Sequence, residues 1–70
     1  MSNAKKSFEV LKSFGVFSGM YSVSCLFNHD KGRWELTGNF HDDNGYRSGK
    51  VADFDSVEDA IDFKVLCESL

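Results

Sequence analysis

Five acidic side chains and no basic one stand in the eleven residues Asp53-Phe54-Asp55-Ser56-Val57-Glu58-Asp59-Ala60-Ile61-Asp62-Phe63. Asp53, Asp55 and Glu58 are hard oxygen donors close together in the chain, which raises divalent-cation chemistry. An EF-hand loop needs donors at fixed intervals, and that spacing is absent. The same acids have a plainer use. Asp55 or Ser56 suits a helix N-cap, and Asp55/Glu58 and Ser56/Asp59 have the spacing of a capping box. Acids in a first turn also complement the helix dipole. A one-signed patch can in addition steer association with a cationic protein, so Glu58, Asp59 and Asp62 form one candidate contact surface.

The other residues able to do chemistry are scattered. His29, His41, Cys25 and Cys67 show neither Cys-x-x-Cys nor His-x-x-x-His spacing, so neither a zinc set nor a Cys–His nucleophile pair is indicated. Both cysteines lie in apolar patterns, as reduced thiols in a cytosolic core do. His41 beside Asp42 and Asp43 sits at a turn with no pocket around it. The glycines are dispersed and form no phosphate loop. The expectation is a non-enzymatic chain without catalytic residues, metal or cofactor.

The acidic stretch implies a strand running into a helix over 56–69. Val57, Ala60, Ile61, Phe63 and Cys67 fall on one side of that helix, and Glu58, Asp59, Asp62 and Ser69 on the other. Upstream, Tyr46, Ala52 and Phe54 share one parity while Val51 has the other, so a strand over 46–54 needs a bulge near Gly49. Trp34, Leu36 and Phe40 alternate with Arg33, Glu35, Thr37, Asn39 and His41, the pattern of a half-buried strand. Gly38 on its apolar side leaves room for a neighbouring ring. Asn44-Gly45 is a hairpin signal. Phe17, Tyr21, Val23, Cys25 and Phe27 alternate with serines, giving a strand over 17–27 that ends in the loop Asn28-His29-Asp30-Lys31-Gly32. Phe8, Leu11 and Phe14 recur near the helical period over 5–14, with Gly15 as C-cap. The class is therefore α+β, a three-stranded antiparallel meander in the order α-β-β-β-α. If residues 5–14 pair as a strand, it becomes β4-α.

Seventy residues make a single domain of marginal stability. Residues 1–4 read as disordered or tag-derived. Ten aromatic residues are many for so short a chain. They either build the core or leave some rings to cover a partner or a second copy, a homodimer. The net charge of −3 disfavours a general nucleic-acid binder. No apolar run reaches membrane-spanning length and no signal peptide is visible, so the expected location is the cytoplasm.

The α-β-β-β-α order is similar to the double-stranded RNA-binding domain. That family grips phosphates with a Lys-rich start to its last helix. The matching positions here are Ser56-Val57-Glu58-Asp59-Ala60, of opposite charge. The segment Asp53-Phe54-Asp55-Ser56-Val57-Glu58 resembles the small phage anti-CRISPR proteins that inhibit the type I-F surveillance complex. In that family a strand meander leads into an Asp-Phe-Asp-Ser-x-Glu helix start. The likeness spans about residues 7–66, and the family carries a further helix that these seventy residues do not show. The resemblance implies a phage or mobile-element inhibitor of a host defence or nucleic-acid-processing complex. It also implies contacts from the exposed sheet face and neighbouring loops, not from the capping segment. Strand alternation places Arg33, Glu35, Asn39, Thr37 and His41 on that face, with Met20 and Leu26 from the first strand and Tyr46 and Arg47 extending it. Arg33, Glu35, Asn39, Tyr46 and Arg47 are the candidate partner-binding residues.

Overall fold

Leu36 sits at the middle of the central strand and is fully buried, with Cys25 opposite it on one neighbour and Ala52 on the other. In a computed structural model that describes residues 3–70, the elements are α1 (Asn3–Ser13), β1 (Met20–Asn28), β2 (Arg33–Asp42), β3 (Gly45–Phe54) and α2 (Val57–Glu68). The sheet is antiparallel in the order β1-β2-β3, and the fold is an α+β meander with flanking helices. Met1 and Ser2 lie outside the described residues. Asn3 and Ala4 open α1, and Ala4 is fully buried in the core, so it belongs to the fold.

α1 ends where Gly15 takes φ 72°. Gly15 N–H donates to Lys12 O at 3.1 Å and Val16 N–H to Leu11 O at 3.2 Å. This paired pattern is the Schellman motif, and the left-handed residue at its corner is the one glycine tolerates without strain. The chain then turns so that Phe17 enters the core ahead of β1. Phe8 stacks on Phe17 at 5.2 Å, and both meet Phe63 of α2 at 6.0 Å. Phe54, at the end of β3, meets Phe63 from the sheet side at 5.5 Å. Ala60, Phe63 and Cys67 carry α2 onto the sheet, mainly over β1. Both helices thus cover one face, and the opposite face is open to solvent.

Two bulges reset the strand alternation. On β1 the pairing jumps from Met20↔Phe40 to Ser22↔Asn39, which leaves Tyr21 extra. Met20 therefore packs on the helix side, and Tyr21, expected in the core, projects outward. On β3 the pairing jumps from Ala52↔Leu36 to Lys50↔Thr37, so the extra residue is Val51 and not one near Gly49. Upstream of it the parity is reversed, and Tyr46 stands on the open face. The β1 strand starts at Met20 rather than 17, because the residues before it form turns.

Other departures have local causes. The hairpin loop is Asp43-Asn44, and positive φ occurs at Gly45 alone, so no type I′ turn forms. Asp42 Oδ1 instead accepts from Asn44 N–H at 2.8 Å. Ser56 has extended N-cap geometry but makes no side-chain capping bond, so the capping box is not realised. Ile61 and Val57 are exposed on α2, and Phe14 is exposed beyond the Schellman turn. Trp34 and Cys25 are only half-buried. The ring that fills the space over Gly38 comes from Phe40, two residues along the same strand. A Cβ at Gly38 would lie 2.8 Å from that ring and 3.0 Å from the Met20 sulfur.

Replacing Leu36 with Ala removes the contact at the centre of the sheet. The expected cost is about 2–5 kcal/mol, a large share of what so small a domain has. A melting temperature within a few degrees of wild type would contradict this core.

Candidate functional site

The open face of the sheet is organised by β2, because each of its outward polar side chains except Thr37 and His41 hydrogen-bonds or ion-pairs with a neighbour strand. Asn39 Nδ2 donates to Ser22 Oγ at 2.9 Å on β1, and Ser48 Oγ on β3 donates to Asn39 Oδ1 at 2.7 Å. Asn28 Nδ2 donates to Glu35 Oε2 at 3.2 Å. The Arg33 guanidinium meets the Asp53 carboxylate at 2.7 Å, and Lys50 bridges Asp53 at 2.9 Å and Glu35 at 3.7 Å. Two cations and two anions thus interlock in one patch, next to a neutral ladder of Ser22, Asn39 and Ser48. Small side chains keep the ladder flat.

Aromatic groups mark one end of this face. Tyr21 meets Tyr46 edge-on at 5.9 Å, and His41 lies 4.5 Å from the Tyr46 ring. Tyr46 is 76 % exposed and Tyr21 61 %. Leu26, opposite Glu35, is the apolar exception nearer the other end and is 68 % exposed.

Arg33, Glu35, Asn39 and Tyr46 therefore share the open face, as expected. Arg47 does not. It pairs with Phe40, and its guanidinium lies 4.2 Å over the Phe40 ring on the helix side, with Asp42 at 3.9 Å. Adjacent residues of a regular strand point to opposite faces, so Tyr46 and Arg47 cannot serve one surface. Met20 leaves the face for the reason given by the Tyr21 bulge.

The acidic stretch also divides. Asp53 belongs to the open face, Phe54 to the core, and Glu58 and Asp62 to the exposed side of α2, with Asp59 half-buried. His29 lies in the loop between β1 and β2, 4.8 Å from Phe27, while His41 is at the far end of β2. Among the described residues no three His, Cys, Asp or Glu side chains gather where a metal could sit. Burial, with a small addition from the Glu68 charge, pushes the Cys67 thiol up to about 11, so it is protonated at neutral pH. No described helix is long and apolar enough to cross a membrane.

Sequence reading placed the β1 serines on this surface but missed Lys50, Asp53 and Ser48 as parts of it. Lys50 and Asp53 are three apart, which in a regular strand puts them on opposite faces. The extra residue Val51 between them brings both to the same one.

The hydrogen bonds from Lys50 and Arg33, together with their charges, hold the Asp53 carboxyl below its usual value, and Lys50 is correspondingly raised. A carboxylate depressed on folding contributes stability that is present above its unfolded value of 3.8 and lost as pH falls through the lower folded value. Asp53→Asn should therefore lose less melting temperature than wild type when the buffer is taken from pH 5 to pH 2. Equal acid sensitivity in the two proteins would show that Asp53 is not coupled to folding.

Compared with known proteins, the chain matches no family model, no curated protein and no solved structure.

Proposed function

We propose that this chain is a small non-catalytic module that binds another protein through the open sheet face. Its concrete role would be that of a cytoplasmic phage or mobile-element inhibitor of a host defence or nucleic-acid-processing complex. The observation that carries the reading is the face itself. Its polar groups are already bonded to one another, so they are held in place before any partner arrives. Little side-chain entropy is then lost on binding. Charges there balance, which suits a mixed polar protein surface better than a phosphate backbone. Tyr21 and Tyr46 supply the large, rigid rings on which interface energies tend to concentrate.

The anti-CRISPR resemblance supports the inhibitory version, and its motif now has a structural explanation. Asp53 is tied into the ion pairs of the open face, Phe54 is core and Ser56 is the N-cap, which supports contact through that face rather than through the capping segment. The double-stranded-RNA-binding reading has the element order and the one-sided helices in its favour. It has Glu58 and Asp59 against it, where that family needs cations.

In bacteria with active type I-F CRISPR immunity, expression of the chain should restore plating of a targeted phage. Tyr46→Ala and Asn39→Ala should each weaken that protection while the purified variants melt as wild type does. A tenfold loss of affinity corresponds to about 1.4 kcal/mol. Unrestored plating would sink the inhibitor role. Loss of protection through Glu58→Gln and Asp62→Asn alone would move the contact to the acidic helix.

In filter binding, duplex RNA or DNA should be held no more tightly than roughly 10⁻⁴–10⁻⁶ M, with strong salt sensitivity. A salt-resistant submicromolar complex would favour the RNA-binding reading instead.

A further inference from the structure

The two edges of the sheet are built differently. β3 carries Arg47, Lys50 and Asp53 and is broken by the Val51 bulge, the usual protections of an edge strand. β1 has neither a charge nor a proline in its nine residues Met20-Tyr21-Ser22-Val23-Ser24-Cys25-Leu26-Phe27-Asn28. It pairs with β2 alone. Beyond the bulge at Tyr21 its register runs unbroken from Ser22 to Asn28. One long side of this strand therefore offers backbone donors and acceptors with no side-chain charge to repel a second strand.

A second feature stands above the same edge. α2 is apolar on two sides. Ala60, Phe63 and Cys67 are buried, and Val57, Ile61 and Val65, each four residues apart, are 40 %, 51 % and 55 % exposed. Phe63 leans toward α1 through Phe8. The flank away from α1 carries Val57, Ile61, Lys64 and Glu68, by the turn of about 100° per residue. Glu68 lines a cleft with Met20, Tyr21 and Ser22, which places that flank on the β1 side.

We propose that the β1 edge and the α2 flank bearing Val57 and Ile61 together are the interface for a second copy of this chain. The two β1 strands pair antiparallel about a twofold axis normal to the sheet, making one six-stranded sheet. An occupant must offer an extended uncharged strand and, on the helix side, apolar side chains at the same height to meet Val57 and Ile61 beside the Lys64–Glu68 pair. The chain supplies both in one piece. A twofold also sets each region of the edge against itself, which a neutral strand tolerates and a charged one such as β3 does not. α2 touches β1 more than β2 or β3, so it stands toward the β1 side of the sheet, where its twofold mate would come close. The interface does not depend on the partner proposed for the open face.

Sedimentation equilibrium of the full chain should give twice the 7.9 kDa mass of one copy. Ser24→Lys puts a charge on the exposed face at the middle of β1, and Ile61→Asp puts one on the α2 flank. Each should halve the mass while the circular dichroism spectrum stays that of the folded protein. Arg47→Asp, on the other edge, should leave the dimer intact. Hydrogen exchange supplies a reading that needs no variant: β1 amides should exchange more slowly in concentrated than in dilute protein. A monomer at high micromolar concentration would overturn the proposal. So would a dimer that survives both β1-side variants, or one broken by Arg47→Asp.

Discussion

Phe63 has to be enclosed, and the arrangement of the other elements follows from that. A chain of seventy residues has few side chains to spend on a core, so one ring serves as the meeting point for α1, the turn after it, and the end of β3. Burial of an aromatic ring of this kind is worth a few kcal/mol, comparable with the net stability of a small domain. Phe8 and Phe17 reach it only because the Schellman turn at Gly15 reverses the chain between them. Phe54 reaches it only because β3 ends where α2 begins. The abundance of phenylalanine in the sequence is thus largely explained by one cluster, and the remaining exposed rings are the tyrosines, Phe14 and Phe27.

Once Phe63 fixes the helices on one side, the character of the other side depends on the two bulges. Without the extra residue at Tyr21, Met20 would stand among serines and Tyr21 would compete for core space. If Val51 were paired in regular register, the Lys50–Asp53 pair would straddle the sheet. The interlocked charges around Glu35 are therefore a product of strand irregularity, which periodic reading is least able to detect.

The element order, the helix over the C-terminal stretch, the C-cap glycine and the outward direction of Arg33, Glu35 and Asn39 were all legible, because each rests on local periodicity or on a residue with restricted backbone preferences. Central β2 was read most faithfully since it is regular throughout. The odd parity of Val51 signals a bulge in β3 but not which residue is extra, and Tyr46 and Arg47, placed together by their nearness to the hairpin, take opposite faces as strand neighbours do. Ile61 and Val57 were assigned to the core because a helix wheel counts apolar residues without knowing which neighbours exist. Ala4 was set aside on resemblance to a tag remnant, although only its size and its spacing of four from Phe8 mark it as a packing residue.

The Val51 bulge bears on how sequences related to this one drift. β3 is written in two phases. Downstream of Val51, even-numbered positions 52 and 54 face the helices and must stay apolar. Upstream, even-numbered positions 46, 48 and 50 face solvent and are free to be polar. Deleting Val51 would leave Ala52 opposite Leu36 and Lys50 opposite Thr37, so Ser48 and Lys50 would keep their outward direction in a regular strand. Pairing Val51 in regular register would instead carry Ser48 and Lys50 inward. Relatives can therefore lose this residue and keep the polarity pattern of 45–50, whereas a relative that keeps it must also keep the bulge.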